Sequence, residues 1–175
     1  MPPSSNPYTL AGGVCFALAG AGFDLLRRRI PNRLTATAVL VALAANTFLS
    51  GIRGLLDSLA AGLLAGAAFA IMFFMGGMGG GDVKLMAAIA AFAGLGRVGQ
   101  LLLCTALAGG VFAVVTAVVH GALGPMLRRT LGWILPRRLK SDHAGGTSSP
   151  RLYLPYAVPI AVGALWTFYS GVLGS

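Results

Sequence analysis

The chain holds four acids, Asp24, Asp57, Asp82 and Asp142, and no glutamate. Carboxylates this scarce can be weighed one by one. Two of them brought close together can hydrolyse a peptide bond without a metal. They cannot both ionise easily, so one keeps its proton. The ionised partner can then take a proton from water while the protonated one donates a hydrogen bond to the scissile carbonyl. Asp24 ends one apolar run and Asp82 begins another, and both fall on the same expected membrane face. Asp57 starts a run on the opposite side, where it would favour its own helix N-terminus electrostatically. Asp142 reads as a solvated loop charge. In the competing structural reading, Asp24 pairs with neighbouring arginines and Asp82 caps the helix that follows it.

The stretch Met75 to Gly81, just before Asp82, contains five glycines. Glycine permits positive φ and close backbone approach. Gly79 and Gly81 could therefore let an extended substrate strand lie beside the acid, whereas a plain turn would need only two glycines. No GxxxxGK[ST] follows, so a phosphate cradle is disfavoured. His120 and His143 have no Cys or acid partner at ligand spacing, which assigns them structural roles. Cys15 and Cys104 lie inside apolar runs and form no CxxC pair, so neither a zinc site nor a disulfide framework is expected, and the reading calls for no cofactor.

The elements that must position these acids are membrane helices. Of 175 residues, 57% are hydrophobic and 10% charged, with a mean hydropathy of +0.83. Soluble domains carry roughly 25% charged residues. A bilayer-spanning helix needs about 20 mostly apolar residues. Six such runs fit, over about Thr9–Leu26, Leu34–Leu49, Leu55–Met75, Val83–Gly96, Val98–Leu123 and Leu152–Leu173. The fold expected is an all-α integral membrane protein of about six transmembrane helices, forming a single domain over residues 1–175. MPPSSNPYTL has no basic residue, so the first run is expected to remain as a span rather than act as a secretory signal. Gly62 and Gly66, four apart on the third run, should let another helix approach closely.

Charge sets the orientation. Thirteen Lys and Arg stand against four Asp. A net charge of +9 in a soluble protein would suggest nucleic acid, but in a membrane chain it reports loops on the cytoplasmic side. If the loops after runs one, three and five face the cytoplasm, eleven basic residues lie there, from Arg27 to Arg29 through Arg151. Only Arg53 and Arg97 lie opposite. Both termini are then outside. Within PMLRRTLGWILPRRLK, Leu127, Leu131, Ile134 and Leu135 recur at helical spacing between arginines. That pattern predicts a short interfacial helix over 125–140, with lipid anchoring favoured over substrate binding.

Three motifs resemble the type IV prepilin peptidase family. FDLLRRRIPN places Ile30, Pro31 and Asn32 six residues after Asp24, as that family's pattern does. GGGDVK is similar to its GxGDxK signature through Gly79, Gly81, Asp82 and Lys84. LPYAVPI, from Leu154 to Ile160, resembles a Pro-Tyr element near its last span. The resemblance implies an aspartic endopeptidase of the inner, cytoplasmic membrane. It would cut the leader from type IV pilin-like precursors near the cytoplasmic face, with Asp24 and Asp82 catalytic. Gly79, Gly81, Lys84, Pro31 and Asn32 would bind substrate or support the loop. Larger members insert a cytoplasmic domain with paired CxxC motifs, associated with N-methylation. Here the first loop has about ten residues and no cysteine, which resembles the short peptidase-only form of Tad/Flp or archaeal-type systems. Its partners would be the precursor and the bilayer, with no nucleic acid; the oligomeric state is left open. Two other classes compete. Paired intramembrane acids also mark proton-relay transport subunits, and a non-catalytic membrane subunit of a pilus or secretion assembly would share the same spans.

Overall fold

The computed structural model describes residues 6–27, 29–75, 78–119 and 156–173. These form five helices and no strand: α1 (Pro7–Arg27), α2 (Asn32–Phe74), α3 (Gly80–Ala93), α4 (Leu95–Val119) and α5 (Ala157–Leu173). Three segments are long and apolar enough to cross a membrane, Pro7–Arg27, Asn32–Phe74 and Leu95–Thr116; Ala157–Val172 is a shorter apolar helix. The interfacial helix expected over 125–140 lies outside the described residues, as do His120, Asp142 and His143.

The second and third expected runs are the two arms of α2. Its 43 residues would measure about 65 Å if straight, roughly twice the hydrocarbon thickness of a bilayer. Gly51 interrupts it with φ 62° and ψ −149°, a backbone conformation open essentially to glycine alone. The chain turns back there. Gly54 packs directly against the carbonyl of Asn46, although eight residues of continuous helix would separate them by about 12 Å. Because the helical pattern resumes at once on both sides of one residue, no polar loop marks the turn in the sequence.

The chain divides into two compact units, Met1–Gly109 with Pro155–Ser175, and Gly110–Leu154. Of the second, only the last part of α4 is described. The first is built around α3, which buries Leu85, Met86, Ala88, Ile89, Ala90, Ala91, Phe92 and Ala93. A helix apolar on every side belongs in an interior.

Small residues let the neighbours approach α3, as is usual where lipid cannot drive helices together. The first arm of α2 contributes Ala38 and Ala42, which pack with Ala88, Ala91 and Phe92. The second arm contributes the expected GxxxG: a side chain on Gly62 or Gly66 would meet Ala87 at 3.1–3.2 Å. Both arms also reach one backbone oxygen. Asn46 Nδ2 and Ser58 Oγ donate to the Ala91 carbonyl at 3.0 and 2.6 Å. At the far end of α3, Gly94 (φ 72°) turns the chain into α4, and the Asp57 carboxylate accepts the Leu95 N–H at 3.2 Å. Asp57 thus caps the start of α4.

Candidate active site

α1 presents one face to α3. Its buried residues are Thr9, Leu10, Gly13, Ala17, Gly20, Ala21 and Asp24, a stripe of small side chains that ends in a carboxylate. The contacts along it fix the register. A Cβ on Gly13 would stand 3.0 Å from Phe92 Cβ, and one on Gly20 would stand 2.7 Å from Leu85 Cδ2. Seven residues forward on α1 therefore match seven backward on α3, so the two helices run antiparallel. Continued for one more turn, that register sets Asp24, in the last turn of α1, level with Asp82, in the first turn of α3. Asp24 is 2% exposed and Asp82 7%.

The electrostatics agree with the register. Asp82 stands ahead of the apolar run that starts at Val83, and its carboxyl is pushed up to about 6. Burial is the larger cause and the Asp24 carboxylate the next, while a backbone hydrogen bond at Gly79 pulls the other way. That hydrogen bond is a helix cap. Gly79 is the N-cap of α3 (φ −82°, ψ 148°), and Asp82, three residues on, reaches back to it. The Asp82 carboxyl thus lies near both the N-cap of its own helix and Asp24.

Gly79 and Gly81 have separate tasks. Neither lies in the left-handed region, so the φ argument for a glycine does not apply to them. Space is what Gly79 supplies. A Cβ on Gly79 would come within 3.3 Å of Asp82 Oδ2 and crowd the carboxylate. Gly81 packs against Ile30, which would meet a Cβ at 3.4 Å. Pro31 is the N-cap of α2 (φ −63°, ψ 132°), and Asn32 begins the helix. Lys84 Nζ donates to Asn32 Oδ1 at 3.0 Å. Two residues on a helix are separated by roughly 200° of rotation, so Lys84 leaves α3 on the side away from Asp82. There it lines a groove of about 660 Å³ with Asn32, Thr35, Ala36, Val39, Leu40 and Ala87.

Tyr156, just before α5, was not singled out among the site residues from sequence. It stands within range of the Asp82 charge. The signal for it was the LPYAVPI element, read only as a resemblance. Arg27 lies over the Phe23 ring, 5.9 Å from its centroid. Among the described residues, no three His, Cys, Asp or Glu side chains gather as they would around a metal ion.

Two level carboxyls, one held above the ordinary carboxylate range, can split into an acid and a base. No curated protein and no solved structure matches the chain significantly. The type IV leader peptidase family matches residues 11–114, a stretch that contains Asp24, the Ile30–Asn32 segment and the glycine run with Asp82 and Lys84. A match over more than half of the chain, together with helices apolar enough to cross a bilayer, identifies this membrane protein as a member of the type IV leader peptidase family.

Proposed function

We propose that the chain is a membrane-embedded aspartic endopeptidase that removes the leader from type IV pilin-like precursors near the cytoplasmic face, without N-methylating the product. The observation that carries this reading is the level placement of Asp24 and Asp82 by the α1–α3 register. Acids strung through the depth of the bilayer would have favoured a proton relay.

In this reading Asp82 holds the proton, because burial and the neighbouring charge both favour its neutral form. Asp24, ionised, takes a proton from water as the water oxygen attacks the scissile carbonyl carbon. Asp82 donates its hydrogen bond to the carbonyl oxygen, where negative charge develops. The tetrahedral intermediate collapses with cleavage of the C–N bond, and Asp24 returns the proton to the leaving amine. No cofactor takes part. Gly79 leaves room beside the Asp82 carboxyl for the substrate backbone.

The topology proposed with it has six crossings of the inner membrane: α1, the two arms of α2, α3 from Val83 onward, α4 and α5. The acids then face the cytoplasm and both termini lie outside, in one domain. The basic loops supply the positive-inside bias. The Gly79 hydrogen bond favours one second reading, a non-catalytic subunit of a pilus assembly in which Asp82 only caps α3.

The test is incubation of the purified chain, alone in liposomes, with a tagged pilin-like precursor, followed by mass spectrometry. A shortened product with an unmodified N-terminus is expected. An intact precursor would favour the assembly subunit, and a methylated product would refute the peptidase-only reading.

A further inference from the structure

Four residues, 28–31, separate the end of α1 from the start of α2, so whatever holds the first turn of α2 also limits where Asp24 can stand. Two contacts hold this connection and the start of α2, and both reach the segment that carries Asp82. Ile30 packs on Gly81, next in sequence to Asp82, and Asn32 accepts a hydrogen bond from Lys84, two residues beyond it. On α3, Lys84 lies on the side turned away from the acids. Its ammonium is therefore spent on α2 and not on the carboxylates. The two contacts grip α3 from one side of Asp82 in sequence and from the other.

We infer that the Ile30–Gly81 contact and the Asn32–Lys84 hydrogen bond form a clasp that fixes the spacing of the two carboxylates, and that Lys84 and Asn32 are positioning residues rather than substrate ligands. This rests on the aspartic-peptidase reading. The physical reason to build such a clasp is that small residues of α1 pack on α3 along most of the contact, whereas each acid sits at a helix end, where helices fray. A geometric error of about 1 Å at reacting groups can cost about 100-fold in rate. A hydrogen bond from a charged donor, made beside the dyad and across two chain segments, restrains the ends that the helix contacts leave loose.

The experiment compares wild type with Lys84→Met, Asn32→Ala, the double variant Asn32→Ala/Lys84→Met, and Asn32→Asp, using a tagged pilin-like precursor. Lys84→Met keeps the length of the side chain and removes the donor. Asn32→Asp keeps an acceptor for the ammonium. The clasp predicts a fall in kcat of roughly 10- to 100-fold for Lys84→Met and for Asn32→Ala, with KM within about twofold. The double variant should be no worse than either single one, and Asn32→Asp should keep most of the wild-type kcat. Should Lys84→Met fail to fold, as judged by monodispersity, Asn32→Ala reads the same bond from the exposed side of α2. A rise in KM with kcat intact would make Lys84 a substrate ligand and overturn the clasp. So would wild-type kinetics in both single variants, or additive losses in the double. Failure of the aspartic reading itself looks different: wild type would leave the precursor intact, or Asp24→Asn would still cut it, and the positioning role would fall with it.

Discussion

Asp24 and Asp82 stand level with each other across two antiparallel helices, and glycine sets that level. Gly13 meets Phe92 and Gly20 meets Leu85, seven residues apart on both α1 and α3, and about one further turn of each helix reaches the acids. The two acids thus stand at the end of a packing stripe that runs most of the length of α1.

Filling this stripe should therefore be costly, while filling a glycine elsewhere on α1 should not. A methyl at Gly13 would lie 3.0 Å from Phe92 Cβ, an atom fixed to the backbone. Gly13→Ala should destabilise by about 1–3 kcal/mol, as overpacking does. A Cβ at Gly22 meets nothing within 4 Å, so Gly22→Ala should be neutral or stabilising by up to about 1 kcal/mol through helix propensity. Thermal unfolding in detergent checks the pair, and equal melting points would contradict the packing account.

The turn in α2 depends on backbone conformation and not on room. A Cβ on Gly51 would also find open space, yet its φ of 62° and ψ of −149° exclude other residues. Gly51→Ala should cost about 1–3 kcal/mol. The same unfolding assay reads it, and a variant as stable as wild type would show that the hairpin does not need this conformation.

The six-crossing topology makes a separate prediction. Ser50 lies at the exposed turn of α2, and Ser141 belongs to the segment placed in the cytoplasm. In a background lacking Cys15 and Cys104, single cysteines at these two positions should react with an impermeant reagent from opposite sides of the membrane. Labelling of both from one side would contradict it.

Burial and the charge of Asp24 raise the Asp82 carboxyl to about 6. If its protonated form is the catalytic acid, that form is present below this value and lost above it. Cleavage should fall as pH rises through about 6, by roughly tenfold per unit beyond it. A pH–rate profile of kcat checks this, and a rate that climbs from pH 5 to pH 8 would assign Asp82 the base role instead.

That Asp24 and Asp82 could meet was legible in the sequence because acids are scarce and these two share one expected membrane face, while their reading as a catalytic pair came from the resemblance of their motifs to a known family. The GxxxG of Gly62 and Gly66 was legible for a similar reason, since its spacing is local. What the sequence could not carry was the partner across space. Asp57 was assigned to its own helix, but the fold brings it to Leu95, 38 residues on. The Asn32–Lys84 bond spans 52 residues and joins two motifs that read as separate. Gly51 was hidden because one residue does the work of a loop. The glycines before Asp82 suggested freedom of φ, whereas neither Gly79 nor Gly81 takes a positive φ and Gly79 supplies space beside the Asp82 carboxylate, a difference that depends on what lies opposite it.

The most direct measurement is precursor cleavage by Asp24→Asn and Asp82→Asn, each purified and shown to be monodisperse. Asn keeps the shape of the side chain and cannot ionise, and base and acid are distinct roles that cannot cover for each other. Each variant should lose cleavage, while Asp57→Asn, which can still accept the Leu95 N–H, and Asp142→Asn should keep most of it. Substantial cleavage by either Asp24→Asn or Asp82→Asn would contradict the dyad.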